Sequence, residues 1–192
     1  ICKRITPAYL ASNLNLLQNA QVIIADANIP QESLIYLAEN CTAPLFCDPV
    51  STAKAAKLRP ILSKIHTLKP NKLEAELLSG VKIESKADVE KAAEKLLELG
   101  VHRLFISLGS EGVYAAMGNE RLWLPNLPGH MVNTTGCGDA FMGAIGWAYL
   151  EGRDLKETAL AGLAAGAIAM ESDETINPAM SATAIKNRIQ NI

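Results

Sequence analysis

The sequence has no run of basic residues. Its 18 Lys and Arg are scattered among 20 Asp and Glu, for a formal net charge of −2. That leaves no electrostatic footprint for nucleic acid or an anionic membrane. It also has no CxxC pair. Cys2, Cys41, Cys47 and Cys137 have no histidine at metal-ligand spacing, so neither a zinc site nor a disulfide framework is indicated, and a reducing, cytoplasmic compartment is expected. Long hydrophobic runs are missing too. No secretory pattern precedes residue 20, and the most apolar segment, TALAGLAAGAIAM from Thr158 to Met170, is too short and too small-sided to cross a bilayer. It reads as a helix packed closely on both sides. There is no internal repeat and no low-complexity linker. An initiator Met is absent: Ile1 leads straight into the helix-like TPAYLASNLNLLQ, so a fragment of something longer is expected.

What is present is an ordinary globular composition, 49% hydrophobic and 20% charged over 192 residues, enough to bury a core as a single domain over 1–192. Short apolar, β-branched runs at QVIIADA (from Gln21), PLFCDPV (Pro44), KIHTLKP (Lys64) and HRLFISLG (His102) predict strands buried on both faces. Between them, 30–40, 51–63, 71–79 and 86–99 carry helical spacing, the last ending at a glycine cap, Gly100. Strand alternating with helix predicts a doubly wound, mainly parallel α/β sheet flanked by helices. EGVYAAM and ERLWLP, separated by Gly118-Asn119, predict a β-hairpin at one edge. The remainder, from Gly138 on, reads as mostly helical.

In open parallel sheets, ligands sit beyond the carboxyl ends of the strands. This directs attention to Asp26, Asn28, Asp48, Asn71, Glu74, 107–111 and 136–139. The stretch NTTGCGDAF, Asn133 to Phe141, places two glycines and a carboxylate just before an apolar helical run. Glycines flanking Cys137 let successive N–H groups converge at a helix start, which makes an anion site. Asp139 beside an anion fits a general base, taking the proton from a hydroxyl that attacks a phosphoryl group. A plain helix cap by Asp139 or Thr134 is an equal alternative. A dinucleotide fingerprint would need glycine at Phe141, and no G-x-x-x-x-G-K-[ST] occurs.

In HTLKPNKLEAELLSG, Asn71 and Glu74 open a helix one turn apart. An amide and a carboxylate so placed suit hydrated Mg²⁺ bridging to ATP phosphates; an N-cap asparagine with a capping-box glutamate accounts for them equally well. His66 is expected in the core or at an edge, His102 and His130 on surface loops, and Trp123 and Trp147 in packing. Asp48 either lines the site or caps the following helix.

LKPNKLEAE followed far downstream by NTTGCGDAF, with SLGSEGVY between them, resembles the ribokinase-like (PfkB) family of sugar and nucleoside kinases. The wording around the motifs, IADANI, DPVS and HTLKPNKLEAE, is closest to members that phosphorylate pseudouridine. The resemblance implies a ribokinase-like, Rossmann-like fold of which this chain holds the C-terminal two-thirds or so, without the N-terminal part and lid.

It also implies an ATP- and Mg²⁺-dependent phosphotransferase acting on a nucleoside or sugar, with a possible homodimer through the lid. Asp139 matches the catalytic base, and the amides of Gly136, Cys137 and Gly138 match the anion hole. Asn71 and Glu74 match the residues that organise Mg²⁺ and phosphate. Ser107, Gly109, Ser110, Glu111 and Gly112 match the turn along ATP, and Asn177 falls in a late loop near the adenine and cation sites. Asn133 replaces an aspartate associated with monovalent-cation binding, which puts potassium activation in doubt. Cys137 replaces the usual alanine. It is expected to act as a small apolar residue, the sharper alternative being a thiolate open to oxidation.

Overall fold

The computed structural model describes residues 1–191; Ile192 lies outside the described residues. A 3-10 turn at Cys2–Arg4 leads into α1 (Pro7–Ser12) and α2 (Leu14–Gln18). Then come β1 (Ile23–Asp26), α3 (Gln31–Asn40), β2 (Leu45–Asp48), α4 (Thr52–Ala55), β3 (Thr67–Leu68), α5 (Lys72–Ser79), α6 (Lys86–Glu98) and β4 (Arg103–Ser107). A hairpin of β5 (Val113–Met117) and β6 (Glu120–Leu124) precedes α7 (Cys137–Leu150), α8 (Leu155–Met170) and α9 (Ala182–Gln190). The strands form a mixed sheet in the order β1-β2-β3-β4-β5-β6. From β1 to β4 the pairing is parallel, with Ile23 opposite Leu45, Phe46 opposite Thr67, and Thr67 opposite Arg103. The mainly parallel α/β sheet expected from the sequence, with helices between its strands and a β-hairpin at one edge, is therefore present.

The chain divides into two compact units, Ile1–Ser107 with Ala116–Arg121, and Leu108–Ala115 with Leu122–Ile192. In the first, the middle strands are apolar because both faces are covered: Phe46, Cys47, Leu68, Leu104, Phe105 and Ile106 are buried. Three expectations are corrected here. β1 is not buried on both faces, since Ile24 is 47% exposed at the outer strand of the sheet. The run from Lys64 gives a strand of only Thr67–Leu68, because Pro70 has no N–H to continue the ladder; its carbonyl still accepts from Ser107 N–H at 2.9 Å. The stretch 51–63 is α-helical only over Thr52–Ala55 and continues as 3-10 helix over Ala56–Lys64, since Pro60 can donate no bond to the turn before it. By contrast α6 begins at a capping box of Ser85 and Asp88, and Gly100 N–H returns to the Leu97 carbonyl at 2.9 Å.

In the second unit α7 packs along α8, and α9 along α8. The alanine- and glycine-rich face of α8 permits this approach, and the Phe141 ring fills the space beside Gly162. Most of α8 is buried, as its composition predicted. Trp123 packs on Tyr114 with ring centroids 4.8 Å apart, and Lys186 Nζ sits 5.5 Å from the centre of the Trp147 ring. Both tryptophans are packing residues.

Candidate active site

In the first unit the carboxyl ends of β1, β2 and β3 carry the polar residues. After β1, Asn28 donates its backbone N–H and Nδ2 to the two oxygens of Asp26, at 2.9 and 2.7 Å, and Lys54 Nζ donates to Asn28 Oδ1 at 2.6 Å. After β2, Asp48 Oδ1 accepts from Val50 N–H at 2.8 Å, and Oδ2 pairs with Lys69 Nζ at 2.9 Å. Asp48 thus lines this end of the sheet; Ser51, not Asp48, is the residue before α4.

Asn71 and Glu74 sit at the start of α5 and form a capping box. Asn71 Oδ1 accepts from Glu74 N–H at 3.0 Å, and Glu74 Oε2 accepts from Asn71 N–H at 2.8 Å. The helix-capping alternative is therefore realised. It does not exhaust the pair: Glu74 is 2% exposed, and among the described residues its second oxygen, Oε1, takes no hydrogen bond. Burial pushes the Glu74 carboxyl above the usual carboxylate range and the nearby Asp48 charge adds to this, while the Asn71 hydrogen bonds and Lys69 oppose it. A cation would reverse that balance. Among the described residues no three His, Cys, Asp or Glu converge as a complete metal cage. Two donors fit magnesium, which keeps several waters and takes substrate phosphate oxygens in place of a protein cage. Ser107 is joined to this group by the bridge between Asn71 and Ser107 that continues the parallel ladder.

In the second unit Gly109, Ser110, Glu111 and Gly112 form a tight turn, closed by Leu108 N–H to the Gly112 carbonyl at 2.9 Å and braced by Asn126 Nδ2 on the Gly109 carbonyl at 2.8 Å. Gly112, at φ +93°, lies against the Leu124 carbonyl, where a Cβ has no room. The turn offers mainly backbone.

Gly136 is the N-cap of α7 at φ +84°, and no side chain caps this helix. Cys137 N–H bonds the Thr134 carbonyl at 3.3 Å, and Ala140 N–H bonds the Gly136 carbonyl at 2.9 Å. Among the described residues the amides of Gly136, Gly138 and Asp139 have no acceptor, whereas that of Cys137, expected in the anion hole, is taken by the Thr134 carbonyl. The free N–H groups at this helix start are an anion-binding arrangement. Asp139 lies exposed on the same turn. Its side chain does not cap the helix, so that alternative fails.

Burial pushes the Cys137 thiol up despite its place at a helix start, which corrects the thiolate alternative. The neutral, half-buried sulfur acts as a small apolar group. Asn177 in the late loop is committed to that loop's own structure: Nδ2 donates to the Ile168 carbonyl at 2.6 Å and Oδ1 accepts from Ala179 N–H at 2.9 Å.

The first unit gathers Asp48, Asn71, Glu74 and Ser107; the second holds the turn at 109–112, the anion site at 136–139 and the Asn177 loop. Sequence reasoning missed Lys69. Its signal was a lysine at the carboxyl end of a strand-like run, immediately before Pro70-Asn71.

Comparison with known proteins shows the family and the fold. The family model described as pfkB family carbohydrate kinase matches residues 5–182. The chain is 36% identical over 193 aligned positions to a pseudouridine kinase of Escherichia coli, covering 100% of this chain and 62% of that protein. Among solved structures, the ribokinase of Thermotoga maritima superposes with a TM-score of 0.87 at 28% identity, covering 98% of this chain and 62% of that one. The Arabidopsis thaliana ribokinase complexed with ribose and ATP does so at 0.82 and 24%, over 93% of this chain and 59% of that one. The chain thus spans about three-fifths of the length of these relatives.

Proposed function

We propose that this chain, which belongs to the pfkB family of carbohydrate kinases, is the nucleotide-binding and catalytic C-terminal part of an ATP-dependent kinase that phosphorylates the 5′-hydroxyl of pseudouridine. The observation that carries the chemistry is the start of α7, where the uncommitted amides of Gly136, Gly138 and Asp139 and an exposed carboxylate share one turn. The carboxylate of Asp139 accepts the proton of the attacking hydroxyl, and the amides of Gly138 and Asp139, with the Gly136 turn that aims them, receive the charge of the transferred phosphoryl group.

The turn at 109–112 lies along the nucleotide through its backbone, and Ser107 borders it. Asn71 and Glu74 are the residues that would hold magnesium; when bound, that ion would neutralise phosphate charge. The 36% identity to a pseudouridine kinase supports pseudouridine as the acceptor. Ribokinase relatives, at 30% identity over 141 positions of one from Staphylococcus aureus, support a second reading in which the acceptor is ribose or another sugar.

The test takes the complete open reading frame to which these residues belong, with ATP, Mg²⁺ and a panel of nucleosides and sugars, and follows ADP release beside Asp139→Ala. Preferential, Asp139-dependent turnover of pseudouridine is expected. Turnover of ribose instead discards the acceptor and keeps the chemistry. ATP binding with no transfer to any acceptor leaves a non-catalytic nucleotide-binding module. Residues 1–192 alone are expected to bind nucleotide with little turnover.

A further inference from the structure

Lys69, which follows β3 in the first unit, holds an ammonium in a place largely shut off from water. Its side chain is 8% exposed, and Nζ lies 2.9 Å from Asp48 Oδ2. An ammonium has three N–H donors, and among the described residues Asp48 is the only group that takes one. A buried ion loses its hydration, and this is offset only when its donors are taken. Lys57, in the same unit, shows the usual solution: its Nζ donates to the carbonyls of Ala27 and Ile29 at 2.9 and 3.1 Å. Lys69 keeps two donors uncommitted.

Its partner is held in place independently. Asp48 Oδ1 accepts from Val50 N–H at 2.8 Å, inside a three-residue turn in which Ser51 N–H returns to the Pro49 carbonyl at 2.7 Å and Val50 takes φ +67°. A β-branched residue in that region is strained, and such turns persist where the surroundings over-determine them. Asp48 and Lys69 cancel in charge, so the pair brings no net repulsion to a phosphate, and the two free N–H groups of Lys69 are left to bind one.

We propose that Lys69 donates to a phosphate oxygen of the magnesium nucleotide, with Asp48 as the residue that positions it. This rests on the kinase reading above and names a contact that neither the anion site nor the Asn71–Glu74 pair includes.

The experiment measures Mg·ATP binding to the complete protein to which these residues belong by calorimetry, adenosine binding by ligand-observed NMR, and thermal unfolding, for the parent, the double variant Asp48→Asn/Lys69→Met, and Lys69→Arg. The double variant removes both charges at nearly constant volume, so it avoids stranding a buried carboxylate. Mg·ATP binding about tenfold or more weaker is expected, the usual worth of a hydrogen bond to a charged group, with adenosine binding and unfolding temperature near the parent's. Lys69→Arg is expected to keep most of the Mg·ATP affinity. The proposal is overturned if the double variant binds Mg·ATP within about twofold of the parent, if adenosine is weakened by the same factor, or if Lys69→Arg is no better than the double variant. A parent that binds neither ligand defeats the kinase reading, and the Lys69 contact with it.

Discussion

Gly136, at φ +84°, lies directly against the carbonyl oxygen of Thr175, where a Cβ has no room. Two demands therefore fall on one residue. The left-handed backbone aims the amides that open α7, and the missing side chain lets the Thr175 loop close on the turn. Gly136→Ala is expected to cost about 1–2 kcal/mol for the backbone alone and more for the displaced loop. A denaturant midpoint checks the stability, and Mg·ATP binding should weaken with it.

Asp139 makes the sharper functional prediction. It caps nothing and faces solvent, so Asp139→Asn should leave unfolding temperature near the parent's. In the complete kinase, turnover should fall by about 10²–10⁴, the usual worth of a positioned general base. A variant that retains more than a tenth of parental turnover would sink that assignment.

Why these two residues could be read from the chain, and others could not, has a physical basis. Gly-Cys-Gly-Asp is a local motif: the dihedral freedom and the charge sit within one helical turn, so sequence order carries the geometry. Asn71 and Glu74 were legible for the same reason, although their spacing fits capping as well as metal binding and the chain uses it at least for capping. The pair of Asp48 with Lys69 spans two strands, and only the parallel register that sets Cys47 beside Leu68 brings their carboxyl ends together. The errors have local causes that single residues hide. Pro70 shortened one strand and Pro60 turned a helix to 3-10 geometry, while the exposure of Ile24 depends on which strand stands outermost.

Asn133 bears on cation dependence. Its Oδ1 accepts from Thr135 N–H at 2.9 Å and its Nδ2 donates to the Asp173 carbonyl at 3.3 Å, so a neutral amide already ties these two loops together. Turnover by the complete kinase should then be the same in sodium, potassium or tetramethylammonium salts. Asn133→Asp places a carboxylate against a carbonyl and should make turnover depend on a small monovalent cation. Potassium activation of the parent protein would contradict this account.

Arg188 ties α9 to the end of α8 and to the loop before the anion site. Its guanidinium donates to both oxygens of Glu171 at 2.9 and 2.7 Å and to the Pro128 carbonyl at 2.7 Å. Paired, two-pronged geometry distinguishes it from an ordinary surface ion pair. Arg188→Leu is expected to lower stability by about 1–2 kcal/mol, and Glu171→Gln by less. Urea unfolding of the two single variants and the double variant measures the coupling. Strict additivity would show that the pair contributes nothing beyond its members.

His66 gives the chain a pH dependence whose sign can be worked out. Its ring stacks on Phe46 with centroids 5.4 Å apart and faces the His102 ring at 4.8 Å. Burial, then the charges of His102 and Arg103, lower its pKa from 6.5 to about 4. Between those values the unfolded chain takes up a proton that the folded chain refuses, so the unfolded state gains as pH falls. The contribution of His66 is fully present above the unfolded pKa and is lost progressively as pH drops toward 4. His66→Gln removes the titrating group. Unfolding temperature measured from pH 7.5 to 4.5 should fall less steeply in this variant than in the parent, with the two curves differing in slope only below about pH 6.5. Parallel curves over that window would mean that His66 is protonated in the folded chain as readily as in the unfolded one, and that the stacked arrangement with Phe46 tolerates the charge.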